Sequence, residues 1–454
     1  METAKLKYLK GEAVMTVDGR SLRLEYVDPV DVPIPTPVPP IWNWPRPTTG
    51  IFVAHNGALA GSGTITNPLS LERALAIGGP GQQIWLRGGS YAPANTLSPR
   101  MEGSVTQPWK ISAYPGEEVV IDCKTESRHG MLLNSLAMAF QRWTGIRFTD
   151  LSSTPASPTA YQLVKLDSSN EISFFGCQFD NCKRSGVIAN GPARNTVLYG
   201  CLILNNGDNT QFDHGIYAKS LAGSFTVANC VLLNNAGHQL HGYNGSSSNL
   251  EAIKSMKAFD NSILTYGEPS DRAILFQDGG VSKSAIDCEA RRNVYYNQFP
   301  PPVGDATDED RSSIKIVSGS NCHITDNCVW GGLIVKSGGV TDSGNRVITR
   351  GNWPAAETWV RQFTYDDGLA HVTIWNPALL PSVSVMLGAM PAGNYEIRAA
   401  SSPQKIAAKV AHGGIGSSVL FPTAGLTYDS QHRAGGYNWK GTPKANAFIV
   451  RRVP

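Results

Sequence analysis

Short apolar runs of three or four residues recur along some 150 residues of this chain, each introduced by a small or amide residue and a Cys or its substitute. The phrase reads Gly176-Cys177-Gln178-Phe179, Gly200-Cys201-Leu202-Ile203, Asn229-Cys230-Val231-Leu232, Asn261-Ser262-Ile263-Leu264, Asn293-Val294-Tyr295-Tyr296 and Asn327-Cys328-Val329-Trp330. Counted from Cys177, the steps are 24, 29, 32, 32 and 34 residues. A loose period of this length marks a solenoid, in which no repeat buries its apolar face without its neighbours. The segments between the phrases hold β-type runs broken by Gly, Asn, Ser and Asp, with no helical periodicity. The pattern predicts an all-β chain built on a parallel β-helix.

The same reading divides the chain into three parts. Residues 1–45 hold two alternating runs, Ala13–Val17 and Leu22–Tyr26, around Asp18-Gly19, a hairpin signal, followed by the Pro-rich tether Val32–Pro40. This part reads as an attachment segment. Residues 46–350 form the solenoid, with strands at Gln83–Arg87, Trp109–Ala113 and Val119–Cys123. A helix from about Ser70, its N-cap, covers the open first coil. Residues 351–454, with runs at His371–Trp375, Ser382–Leu387, Tyr395–Arg398 and Ala447–Arg451, predict an antiparallel β-sandwich. Its expected role is either a lid on the solenoid's end or a glycan-binding module.

Stacked parallel strands set equivalent side chains about 4.8 Å apart in columns, and alternate residues face in and out. Aligning Gly215–Lys219 with Gln239–Tyr243 puts Ile216 and Leu240 inside, and Tyr217 beside His241 and Lys219 beside Tyr243 outside. The preceding coil adds Ile188 and Asn190 to these columns, and the next adds Leu275 and Gln277. His214, His238 and Arg272 begin their strands together. This outward set is the candidate site. For a β-elimination, Tyr217, His241 or Lys219 is the base, and Arg272 or Lys219 neutralises the carboxylate. His214, His238, Tyr243, Arg272 and Gln277 are the expected substrate contacts. A hydrolase needs two carboxylates on one face, for which Asp208, Asp213, Asp180, Asp271 and Asp278 are the candidates. The column Cys177, Cys201 and Cys230 reads as buried free thiols, and Asn181, Asn205 and Asn234 as an asparagine ladder. No cofactor is expected; the acidic run Asp305, Asp308, Glu309 and Asp310 is the one place for calcium.

Two stretches, Gln83–Tyr91 and Tyr114–Asp122, resemble the opening strands of right-handed parallel β-helix proteins of the pectate-lyase-like superfamily, found in polysaccharide lyases and phage tail spikes. Asp213-His214-Gly215-Ile216-Tyr217 followed by Gly237-His238-Gln239-Leu240-His241 is similar to members with paired histidine-bearing coils. The resemblance implies a right-handed helix over about residues 50–350 and a polysaccharide partner. It does not assign catalytic residues.

Charge and composition narrow the partners. Charged residues make up 17% of the 454, and the net charge is +3, with no basic run suited to nucleic acid and no apolar run long enough for a bilayer. Met1–Lys7 leads into Gly11, Glu12 and Asp18 rather than an apolar stretch. Read as the native start, it predicts synthesis in the cytoplasm without a signal peptide. The leading expectation is a virion-associated tail spike, fibre or decoration protein that contacts host-surface polysaccharide, with degradation as an added capacity and a homotrimer as one assembly. The alternatives are a secreted bacterial polysaccharide lyase or glycoside hydrolase whose leader was trimmed, and a structural or adhesive solenoid without catalysis. If the chain is an enzyme, a lyase ranks ahead of a hydrolase.

Overall fold

The computed structural model describes residues 13–17, 20–24, 46–99, 101–123, 129–134, 139–150, 162–167, 169–190, 193–207, 213–220, 223–244, 252–266, 272–278, 285–298, 313–348, 354–364, 366–426 and 443–453. At the N-terminus, strands Ala13–Val17 and Arg20–Leu24 pair antiparallel, with Val17 opposite Arg20. They belong to a separate compact unit, residues 1–38.

In the larger unit the chain winds through three strands per coil. One coil runs Gln178–Asp180, Ser185–Asn190 and Thr196–Tyr199, and the next runs Leu202–Leu204, Ile216–Ala218 and Phe225–Ala228. Each strand pairs in parallel with its counterpart one coil on. The first strands of successive coils make a ten-stranded sheet, the first face. The second and third strands make the second and third faces, both within a seventeen-stranded sheet. Inward side chains of all three faces fill one continuous core. Its aromatic interior includes Phe148 stacked on Phe179 at 5.3 Å. Ser70 caps the helix Leu71–Ile77 by accepting from the Arg73 N–H, and Leu71, Ala74 and Leu75 are buried against the first coil as expected.

The corners show why these residues suit this path. Between third and first faces the backbone takes a left-handed conformation, at Gly145, Gly176 and Gly200 (φ +69°, +54° and +63°) and later at Asn229, Asp260 and Arg292. Gly and Asn enter that region at least cost. Immediately after this corner, Cys177, Cys201 and Cys230 stack inward as free buried thiols. The column continues with Asn261, Asn293, Asn327 and Asn345, not with Ser262, Val294 and Cys328. The Cys230 N–H donates to Asn261 Oδ1, 31 residues on. Thereafter each Asn accepts from the backbone and amide N–H groups of the Asn before it. Each also donates to a core carbonyl, as Asn293 does to Ala258. The repeat is thus offset by one residue from the alignment of its apolar runs.

Asn181, Asn205 and Asn234 do fall in register at the next corner, all with positive φ, and Asn234 donates to Asn205 at 3.3 Å. The denser ladder lies one residue on. There Asn206 and Asn235 are fully buried, and Asn235 Oδ1 accepts both N–H groups of Asn206.

The C-terminal region forms two antiparallel sheets, of five and two strands, around a shared core. Its position corrects the expected end lid. The five-stranded sheet lies along the side of the solenoid, against the outer face of the ten-stranded sheet. There Trp375, Ala400, Ala445 and Ala447 pack on Leu204, Val231, Leu264, Tyr296 and Trp330. Trp330 stacks on Trp375 at 4.9 Å and meets Trp359 edge-on at 4.8 Å. Strands here read apolar on both faces (Val231-Leu232-Leu233, Val294-Tyr295-Tyr296), the composition of a sheet covered twice.

Candidate functional site

The second face carries the candidate residues. Ile216 pairs with Leu240, Tyr217 with His241 and Ala218 with Gly242, so the expected register is the observed one. On either side, Ile188 stands opposite Tyr217, Leu275 opposite His241, and Gln277 opposite Tyr243. Arg272 stands opposite His238. Ile216 and Leu240 point into the core. Lys219 follows the strand end, its N–H donating to the Ala189 carbonyl.

The outward rings form a connected cluster. His214 stacks on Tyr217 (5.6 Å) and on His238 (5.0 Å), and His241 meets His214 and His238 edge-on at 4.6 and 4.4 Å. Tyr217 lies edge-on to His241, and Tyr243 stacks on it at 5.0 Å. Lys219 Nζ stands 6.0 Å from the Tyr217 ring centre, at the limit of a cation–π contact. The histidines are buried, between 3% and 8% exposed, whereas Tyr217, Lys219 and Tyr243 are half-buried. The accessible surface is therefore two tyrosines and a lysine laid over a histidine floor.

Hydrogen bonding fixes the protons of that floor. The His238 backbone N–H donates to His214 Nδ1 at 3.1 Å, so this nitrogen carries no proton. Neutral His214 then holds its proton on Nε2 and donates it to His241 Nδ1, 3.0 Å away. Burial lowers the His214 pKa to about 3, which keeps it neutral. His241, accepting at Nδ1, carries its own proton on Nε2. Both His214 nitrogens are occupied, so this trio cannot close around a metal through His214. Among the described residues no group of three or more His, Cys, Asp or Glu is placed to hold one.

These protons redistribute the expected roles. Neutral His241 presents an N–H, the form of a donor and not of a base. The Tyr217 hydroxyl is pushed up to about 12, by burial first and by Tyr243 second, so at neutral pH it is a proton donor. Of the three expected bases, Lys219 is left as the candidate. The column also extends beyond Ile188, Tyr217, His241 and Leu275. Lys165 precedes Ile188, and Lys315 follows Leu275, so the column runs Lys165, Ile188, Tyr217, His241, Leu275, Lys315. The step from Leu275 to Lys315 crosses a long insertion, which hid the repeat; its sign was the alternation Ile314-Lys315-Ile316.

The described members of the carboxylate set lie apart along the chain. Asp180 belongs to the first face, where Arg147 clamps both of its oxygens at 2.9 and 2.7 Å. Asp213 precedes the Ile216 strand and faces Arg184 at 3.9 Å. Asp278 ends its strand opposite Asn244. Asp208, Asp271 and the acidic run Asp305–Asp310 lie outside the described residues.

The described residues include no helix long and apolar enough to cross a membrane. Against known proteins, residues 51–273 match the family model for the Pel9A-like, right-handed β-helix region. Pectate lyase PEL9 of Emericella nidulans is 37% identical over 73 residues, 16% of this chain and 18% of that protein. Pectate lyase L of Thermoclostridium stercorarium is 29% identical over 230 residues, 48% of this chain and 18% of that one. The chain thus spans under a fifth of the length of these curated relatives. The crystal structure of pectate lyase Pel9A aligns with a TM-score of 0.43 and 14% identity, over 65% of this chain and 78% of that one. With the winding described above, the match over residues 51–273, just under half of the chain, shows a Pel9A-like, right-handed parallel β-helix in this region.

Proposed function

We propose that this protein binds an acidic polysaccharide along its second face and cleaves it by β-elimination. The observation that carries the reading is the half-buried set Tyr217, Lys219 and Tyr243, held in register over the fixed histidine floor. Aromatic faces suit sugar rings, and a lysine beside them places an amine where a proton is to be taken. The names of the two curated relatives, both pectate lyases, agree with an acidic substrate.

In this mechanism the Lys219 amine takes the proton next to the uronate carboxylate. The electron pair forms the new carbon–carbon double bond, and the glycosidic C–O bond breaks on the adjacent carbon. Tyr217 passes its hydroxyl proton to the departing oxygen and recovers one from the Lys219 ammonium. Arg272, opposite His238, is the proposed neutraliser of the carboxylate. The test is product formation on acidic and neutral polysaccharides. New reducing ends with the ultraviolet absorbance of an unsaturated uronate are expected. Lys219→Ala and Tyr217→Phe should each reduce turnover by about 100-fold, the usual share of a general acid or base, at unchanged melting temperature. Reducing ends without the absorbance would sink elimination in favour of hydrolysis. Binding without any product would confine the face to recognition.

A second reading rests on the N-terminal hairpin, a compact unit of its own. In it, the chain is a virion component made in the cytoplasm, and residues 1–45 attach it to the particle. Deleting them should abolish incorporation while leaving the solenoid folded; intact incorporation would refute this reading.

A further inference from the structure

A cleft of about 330 Å³ lies where the C-terminal sheet begins to cover the ten-stranded sheet. It is separate from the Tyr217 face, and nothing in the proposed elimination uses it. Its solenoid wall is the corner at Gly145, Gly176 and Gly200, three coils without a side chain at that position. In later coils Asn229, Asp260 and Arg292 hold the same left-handed position, so the backbone conformation alone does not demand glycine. Phe363 closes one end, lying 2.5 Å from where a Gly200 Cβ would stand. The volume falls at the small end of sites for compact ligands, roughly 300–1,000 Å³.

The polar lining is rich in donors. Arg398 and Arg451 both bond Glu396 Oε2 at 3.0 Å, and Lys409 stands 3.9 Å from its other oxygen. Two guanidinium groups of the lining and a largely exposed lysine therefore share this carboxylate. Across the cleft, Arg147 is satisfied by Asp180. Two buried donors in this lining, Gln178 Nε2 and Arg398 Nε, have no hydrogen-bond partner among the described residues. Buried donors left unmatched cost about 1–3 kcal/mol each, which a ligand offering oxygen acceptors recovers. Glu118 adds a negative charge to the lining, so the excess fits a single carboxylate and not a polyanion.

The geometry points to a second saccharide site in this cleft, taking a sugar that carries one carboxylate, a hexuronic acid or the end of a uronide chain. Gln178 and Arg398 supply the donors, and Leu369 and Ile449 the apolar wall. The C-terminal region is then a carbohydrate-binding partner of the solenoid through their shared boundary.

The test is calorimetric titration of the full-length chain with galacturonic acid, using galactose as the neutral counterpart. Galacturonic acid should bind and galactose should bind at least about tenfold more weakly, the loss of one charge-assisted contact. Gln178→Leu should weaken galacturonic acid binding several-fold with an unchanged melting temperature. Arg398→Gln should do so more strongly, but it also removes bonds to the Pro403 and Gln404 carbonyls, so Gln178→Leu is the deciding variant. Equal affinity for the two sugars, no binding by wild type, or full affinity in Gln178→Leu would overturn the proposal. Loss of binding in Tyr217→Ala with retention in Gln178→Leu would place the sugar on the second face instead.

Discussion

The first and second faces of the solenoid are built from the same coils, yet their outer columns differ in kind. On the first face the outward positions from the Leu202 coil onward are mostly apolar, Leu, Val, Tyr and Trp among them, and a second sheet covers them. On the second face, the two coils between Ile188 and Leu275 hold His, Tyr and Lys at the outward positions; the rings pack on one another and leave two tyrosines and a lysine half-buried. A stacked column repeats whatever chemistry is placed in it. Apolar repetition makes a docking surface for the chain's own C-terminal sheets, and polar aromatic repetition makes a track for a ligand that is itself repetitive.

The largest expected effect lies on the covered face. Trp330→Ala removes a fully buried ring from between Trp375 and Trp359 and should destabilise the protein by about 3–5 kcal/mol. Denaturant unfolding should show it. A loss under about 1 kcal/mol would mean that the C-terminal sheets are held elsewhere.

A pH series compares the second face with the sheet that covers the first through one histidine on each. Burial lowers both His214, on the second face, and His371, on the C-terminal strand Leu369–Trp375, to about 3. The unfolded value is near 6.5, so the unfolded chain binds more protons between these limits. Stability from these residues is complete above pH 6.5 and is lost as pH falls toward 3. His214→Gln, which keeps an acceptor and a donor, should flatten the decline in that window. An unchanged slope would contradict the proton assignment of the histidine floor.

The smallest effect is expected at a corner. Asp260 pairs with Arg292 at 2.7 Å, but both are about one-third exposed. Asn tolerates the left-handed backbone at Asp260 (φ +54°), so Asp260→Asn should cost less than about 1 kcal/mol in melting experiments. A larger loss would make the corner ion pairs structural.

The spacing of the later coils, the second-face register and the helix cap were legible in the sequence because each rests on the repeat, on local patterns of period two or on a capping residue. The ladder offset was not, because asparagine has two roles at one corner. Asn229 holds the left-handed turn, whereas Asn261 is the inward amide that follows such a turn at Asp260; in sequence both merely precede an apolar run. The lateral seat of the C-terminal sheets was readable in principle from Val231-Leu232-Leu233 and Val294-Tyr295-Tyr296, whose lack of alternation signals cover on both faces. The candidate residues were found by stacking, but their protonation was not, since it follows from the His238 N–H reaching His214 across the coil.

The most direct measurement is hydroxyl-radical footprinting of the full-length chain with and without polygalacturonate, read by mass spectrometry at individual tyrosines. The account predicts protection of Tyr217 and Tyr243 and unchanged reactivity at Tyr199, on the third face. Protection of Tyr199 with Tyr217 and Tyr243 unchanged would contradict the second face as the polysaccharide track.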